Sequence, residues 1–106
     1  MSTEAEIRLM KRRRGTVLKS VRQGHEQQMH RMDDFDVWSM MQDLGMQMGR
    51  KAVLTMLQDL CVLGYIQYTQ TFDEENARAR LSEIVLTSQG AAITIRRQSN
   101  DEVLFD

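Results

Sequence analysis

Arg50, Lys51, Thr55 and Gln58 stand close together in the segment MGRKAVLTMLQDLCVLGYI, residues 48–66. An arginine offers parallel N–H donors to a pair of acceptors, and a glutamine amide sets a donor beside an acceptor. Lysine brings a flexible point charge, and threonine a hydroxyl; both suit an anionic oxygen. Arg78 and Arg80 lie two residues apart, so on a strand they share one face. These groups bind rather than react. His25 and His30 are separated by five positions in a polar stretch, and Cys61 is the single cysteine. A zinc site needs three or four ligands within reach, which this set does not supply. There is no glycine-rich phosphate loop and no Ser-His-Asp setting. Cys61, between Leu60 and Val62, reads as a small semi-buried apolar residue. No catalytic residue, metal or cofactor is expected, and the chain is read as a non-enzyme.

Positioning such groups takes a folded body, and the composition allows one. The 106 residues are 42% hydrophobic and 27% charged, which suits one small soluble domain. No apolar run approaches the roughly 20 residues needed to cross a membrane. The first residues, MSTEAE, are followed by no apolar signal region, and a lone cysteine forms no internal disulfide. A cytoplasmic location is the expectation. The net charge is −1, so any contact with a polyanion must come from local clustering. Basic residues cluster at Lys11–Arg14, Arg50–Lys51, Arg78 with Arg80, and Arg96–Arg97. Acids collect at Asp33, Asp34 and Asp36, at Asp73–Glu75, and at Asp101–Glu102.

Proline is absent, so glycine and polar clusters mark the breaks. Thr3 with Glu6 fits a capping box that starts a first helix. Ile7, Met10, Val17, Leu18 and Val21 recur at helical spacing, and Gly24 is expected to end it. Arg14 interrupts the stripe, with its stem on the core edge and its head in water. The Lys11–Arg14 run spreads around the helix and forms no single patch. Residues 25–32 read as a polar connection with room for one short strand. Asp33 or Asp34 caps a second helix whose inner face is Val37, Met40, Met41 and Leu44, with Trp38 beside it. Gly45 sits at a left-handed C′ position, and Met46–Gly49 form a short turn. A third helix spans about residues 49–63 on the stripe Val53, Met56, Leu57, Leu60 and Leu63, and Gly64 ends it. Its outward face carries Arg50, Lys51, Leu54, Thr55 and Gln58. Residues 65–71 alternate as a strand, 72–79 form a polar loop, and 81–86 return as a second strand. Thr87 caps a last short helix through Ala91, Ala92 and Ile93. Of nine methionines, Met40, Met41 and Met56 are assigned to the core, and Met46 and Met48 to an exposed turn. The tail from Gln98 reads as loosely ordered.

Three helices followed directly by a hairpin is the order of a winged helix-turn-helix. The stretch VLTMLQDLCVLGYI resembles the recognition helix and first wing strand of winged-helix regulators. The stretch IVLTSQGAAI is similar to the Leu-Thr-x-x-Gly segment that closes the wing in the MarR-like and PadR-like groups. Length and layout also resemble the small winged-helix proteins of Mu-like phages and prophages. The resemblance covers roughly residues 8–97. It implies an α+β, mainly helical domain over residues 1–97 with a tail at 98–106. It also implies a transcriptional regulator of phage or prophage type that binds double-stranded DNA. DNA-binding domains this small commonly pair to span two half-sites, so a homodimer through the first helix, the tail with Val103, Leu104 and Phe105, or both is expected.

In that architecture the third helix approaches base edges in the major groove. Arg50 and Gln58 are then candidates for base contacts, Lys51 and Thr55 for phosphate, and Arg78 and Arg80 for the backbone or minor groove. The carboxylates of Asp73, Glu74 and Glu75 depart from a basic wing and would repel phosphate. They leave open an alternative, a winged-helix protein–protein interaction module without DNA binding.

Overall fold

The computed structural model describes residues 3–27, 31–96 and 98–105. Its elements are α1 (Glu4–Glu26), α2 (Asp34–Asp43), α3 (Arg50–Val62), β1 (Ile66–Asp73), β2 (Arg78–Leu86) and α4 (Ser88–Thr94). The strands form one antiparallel two-stranded sheet. This is the winged helix-turn-helix order that the sequence predicts. Arg97 and residues 28–30 of the 25–32 connection, His30 among them, lie outside the described residues.

The local chemistry explains most boundaries. The Thr3 hydroxyl accepts from the Glu6 amide and starts α1. Gly24 does not stop that helix; it is buried within it, and α1 runs on to Glu26. Asp33 and Asp36 form a reciprocal capping box at the start of α2. Helices α2 and α3 both end as expected, with Gly45 and Gly64 at positive φ and the following amides folded back to Met41 and Leu60. Thr87 caps α4 through the Gly90 amide.

The core joins Val17, Leu18 and Val21 of α1, Val37 and Met41 of α2, and Val53, Met56, Leu57 and Leu60 of α3. The sheet and α4 add Ile66, Leu81, Ile84 and Ile93. Several expected core assignments differ. Leu44 is 57% exposed, because α2 ends before its side chain can turn inward. Met40 and Leu63 are only half-buried. Met48 is buried and Met46 packs against the core, so the turn between α2 and α3 faces inward. Its geometry is held by two donors, Trp38 Nε1 and Gln42 Nε2, which both bond the Met48 carbonyl at 2.8 and 2.9 Å.

The hairpin is longer and tighter than expected. Its strands continue to the pair Asp73 and Arg78, leaving only a turn at 74–77. A bulge breaks the register: Gln67 faces Val85, but Thr69 faces Ser82. Glu83, at φ 53°, is the extra residue on β2. Leu81 and Ile84 are three apart and would otherwise point to opposite faces; the bulge turns both into the core. The Ile84 amide then leaves the ladder and bonds the Met32 carbonyl at 3.0 Å.

Residues 98–105 hold no helix or strand beyond one bridge, yet they are docked. Val103 is buried, the Leu104 amide bonds the Lys11 carbonyl, and Asn100 Nδ2 bonds the Tyr65 hydroxyl at 2.7 Å. This differs from the loosely ordered tail that its polarity suggests. Arg14 explains part of it. Its head is not in water but paired with Glu102 at 2.9 Å and Asp59 at 3.5 Å.

Asp34 joins the wing to the helical body. It is buried, it accepts from the Leu81 amide at 3.2 Å, and it faces Arg80 Nε at 3.8 Å. Asp34→Ala orphans a buried amide and removes that anchor. Urea denaturation should show a loss of about 1–3 kcal/mol. A change within experimental error would mean that the anchor contributes nothing.

Candidate nucleic-acid interface

The N-terminus of α3 is the centre of the candidate surface. Its N-cap, Gly49, has no side chain to bond the first amides, and no acid lies in its first turn. The helix dipole and the open amides therefore favour an anion there. The inner stripe of α3 is buried, so its rotation is fixed and the opposite face is presented.

Arg50 lies over the Phe35 ring at 4.9 Å, and its Nε is buried without a hydrogen-bond partner. Arg78, on the wing, likewise has a buried Nε with no partner. Both line a cleft of about 410 Å³ with Lys51, Leu54, Asp34, Ala77 and Ala79. The sequence puts Arg78 far from Arg50; the hairpin brings them to one cavity. Leu54, placed on the outward face by helical spacing, is half-buried against the core and forms an apolar wall of the cleft. Lys51 and Thr55 are exposed, and the Thr55 hydroxyl bonds back to the Lys51 carbonyl at 3.1 Å. Gln58 is half-buried, one turn further along α3.

Arg80 shares the Arg78 side of β2, as their spacing requires, but its guanidinium is turned to Asp33 at 3.4 Å and Asp34 at 3.8 Å. The acids at Asp33 and Asp34 are thus packed against a basic residue, where the sequence suggested separate clusters. Among the described residues, Arg50, Lys51 and Arg78 form no salt bridge. Phe35, which supports Arg50 and is itself tilted against Trp38 at 5.5 Å, is a member of the surface that sequence reasoning missed. Its signal was an aromatic residue on the outer face of α2.

The acidic wing tip divides into two parts. Asp73 is internal to the turn: it accepts from the Asn76 side chain at 2.7 Å and from the Glu75 and Asn76 amides. The Asn76 side chain above all, with these amides and nearby Arg78, holds its carboxyl below the usual carboxylate range against the opposing effect of burial. Glu74 and Glu75 are exposed. Because the Asp73 value is depressed in the folded turn, its contribution is complete above the ordinary aspartate value of about 3.9. That contribution is lost as pH falls through the depressed one. Followed by NMR through the Asn76 side-chain amide, the titration midpoint should lie below about 3.9. A midpoint at or above that value would show that the turn does not favour the charged form.

Among the described residues no group of His, Cys, Asp and Glu could hold a metal, and no helix is long and apolar enough to cross a membrane. His25 Nε2 lies 3.3 Å from the Ile84 carbonyl, and Cys61 is half-buried against the core.

No family model and no curated protein matches the chain. Among solved structures, the fold is similar to that in the crystal structure of Bacillus subtilis PadR in complex with operator DNA. The match has a TM-score of 0.59 at 20% identity and covers 92% of this chain and 54% of that one. The chain therefore spans about half the length of the solved structure it matches. The likeness extends through the three helices, the hairpin wing and the short last helix, and establishes a winged helix-turn-helix fold.

Proposed function

We propose that this winged-helix chain binds double-stranded DNA and regulates transcription, with α3 in the major groove and the wing alongside. One observation carries the reading: Arg50, Lys51 and Arg78 meet at a single cleft, and none forms a salt bridge among the described residues, although Asp34 lines the cleft and Asp73 lies near Arg78. Cations not held in a salt bridge are the groups that neutralise phosphate. Lys51, Arg78 and Thr55 are assigned to the backbone, and Gln58 to a base edge. Arg50 is assigned to the DNA at the mouth of the cleft. Arg80 sets the angle of the wing through Asp33 and Asp34, with a side chain still 37% exposed toward the partner. The solved relative of similar fold was crystallised with operator DNA, which supports the same partner here.

The finer features follow from the layout. A regulator of phage or prophage type fits the length and element order, and a cytoplasmic location fits a DNA partner. A homodimer fits the few bases that one domain of this size can reach. No group is assigned to catalysis.

Exposed Glu74 and Glu75 at the wing tip favour a second reading, a protein-interaction module. Titration of mixed-sequence duplex DNA at low and moderate salt separates the two. Affinity that falls steeply with salt is expected, with a slope of about −0.9 per phosphate neutralised. Absence of binding at low salt would overturn the DNA reading in favour of the module.

A further inference from the structure

The first turns of α1 stand away from the rest of the molecule. Every residue from Thr3 to Met10 is exposed, although α1 is 23 residues long and its second half is the most buried helix face in the fold. The apolar stripe does not stop where the core stops. Ile7 and Met10 continue the line of Arg14, Val17, Leu18 and Val21 at spacings of three and four, and they are 38% and 39% exposed. Leu104 of the docked tail sits beside them, in a groove with Glu4, Ile7, Arg8 and Lys11. A helix segment of this length draws most of its stability from tertiary packing, and here one copy provides little beyond Leu104 of the tail.

We propose that this overhang is covered by the same segment of a second copy, the two running antiparallel about a two-fold axis. The charges select that occupant and that direction. The segment begins with Glu4 and Glu6 and continues with Arg8, Lys11 and Arg13. A parallel pair would keep only one kind of opposite-charge contact, Glu6 with Lys11, and leave Glu4 and Arg13 without one. In the antiparallel pair Ile7 of each copy meets Met10 of the other. Because a two-fold axis brings like flanks of the helix together, Glu6 then faces Arg13 on one flank and Glu4 faces Lys11 on the other. Among the described residues none of these four charges has a salt bridge within its own copy. Glu6 and Arg13 are seven positions apart, too far along one helix to pair with each other. The inference deepens the homodimer named above and rests on it for the number of copies.

The test is sedimentation equilibrium of the full chain from micromolar to submillimolar concentration, with circular dichroism as a check on folding. The unaltered chain is expected to dimerise. Met10→Lys, on an exposed position, should remain folded and become monomeric. Glu6→Arg and Arg13→Glu should each raise the dimer dissociation constant by about tenfold or more. Combining the two should restore it, a rescue that a merely helix-stabilising role would not produce. A monomer throughout the range would overturn both the dimer and this contact. A dimer indifferent to Met10→Lys and to both charge reversals would overturn the contact alone. The DNA reading is scored separately, because a folded monomeric variant should still bind mixed-sequence DNA with an unchanged salt slope.

Discussion

Replacing Arg50 and Arg78 together with alanine should lower affinity for duplex DNA by about a hundredfold or more and flatten the salt slope by roughly two. The two residues are far apart in sequence but line one cleft, and neither guanidinium forms a salt bridge among the described residues. Each is partly prepaid in order: Arg50 is stacked on Phe35, and the Nε atoms of both are already out of water. Little side-chain freedom remains to be lost on binding, so removal should be felt in full. Lys51→Ala is the milder comparison. It should weaken all sequences alike and flatten the slope by about one. Gln58→Ala should leave the slope alone and relax sequence preference, if its amide reads a base. Arg80→Ala should differ from all of these. Its guanidinium holds Asp33 and Asp34, so its loss should appear first as lower stability of the wing. Binding of each variant to a selected site and to mixed DNA across a salt series makes the comparison. Unchanged affinity and slope in the double variant would mean that the cleft does not face DNA.

The parts of this surface that were legible in the sequence are those governed by near neighbours. Helical spacing from Val53 to Leu60 set the rotation of α3, and with it the outward position of Arg50, Lys51 and Thr55. Gly45 and Gly64 marked their helix ends because few other residues adopt positive φ at low cost. Thr87 was visible as a cap because its partner amide is only three residues away. What escaped depends on chain segments that meet through the fold. The capture of Arg80 by Asp33, and of Arg14 by Glu102, joins residues that look unrelated along the chain. The bulge at Glu83 left one sign, an apolar pair at three-residue spacing in a strand, which reads as irregularity until the pairing partner is known. Met48 looked like a turn residue by its neighbours, and only the two side-chain donors on its carbonyl show why that turn folds inward.

A single methyl group at Gly90 should destabilise the protein by at least about 2 kcal/mol, while the same change at Gly15 should cost no more than the docking of the tail. Both glycines are helical and buried, and in an open helix Gly→Ala gains roughly 0.5–1 kcal/mol. Here a Cβ at Gly90 would overlap the Tyr65 carbonyl oxygen, with the Leu86 side chain close by. That carbonyl has no freedom to retreat. It accepts from the Thr87 amide, the Tyr65 amide bonds Leu60, and the Thr87 hydroxyl bonds the Gly64 carbonyl at 2.6 Å. Overpacking against so fixed a group costs about 3 kcal/mol or more, which outweighs the gain in helix propensity. A Cβ at Gly15 would overlap the Leu104 carbonyl instead. That group belongs to a terminal segment with no helix or strand of its own, so the chain can relieve the clash by releasing residues 98–105 at the cost of their docking contacts. The sign of Gly15→Ala should therefore depend on the tail. In the full chain it should be destabilising, or neutral with the tail freed to exchange its amides. In a chain ending at Gln98 it should be stabilising by about 0.5–1 kcal/mol, since only the propensity remains. Urea denaturation of the four combinations of Gly15→Ala and tail removal gives the coupling directly. Strict additivity between them would show that the tail does not rest on Gly15.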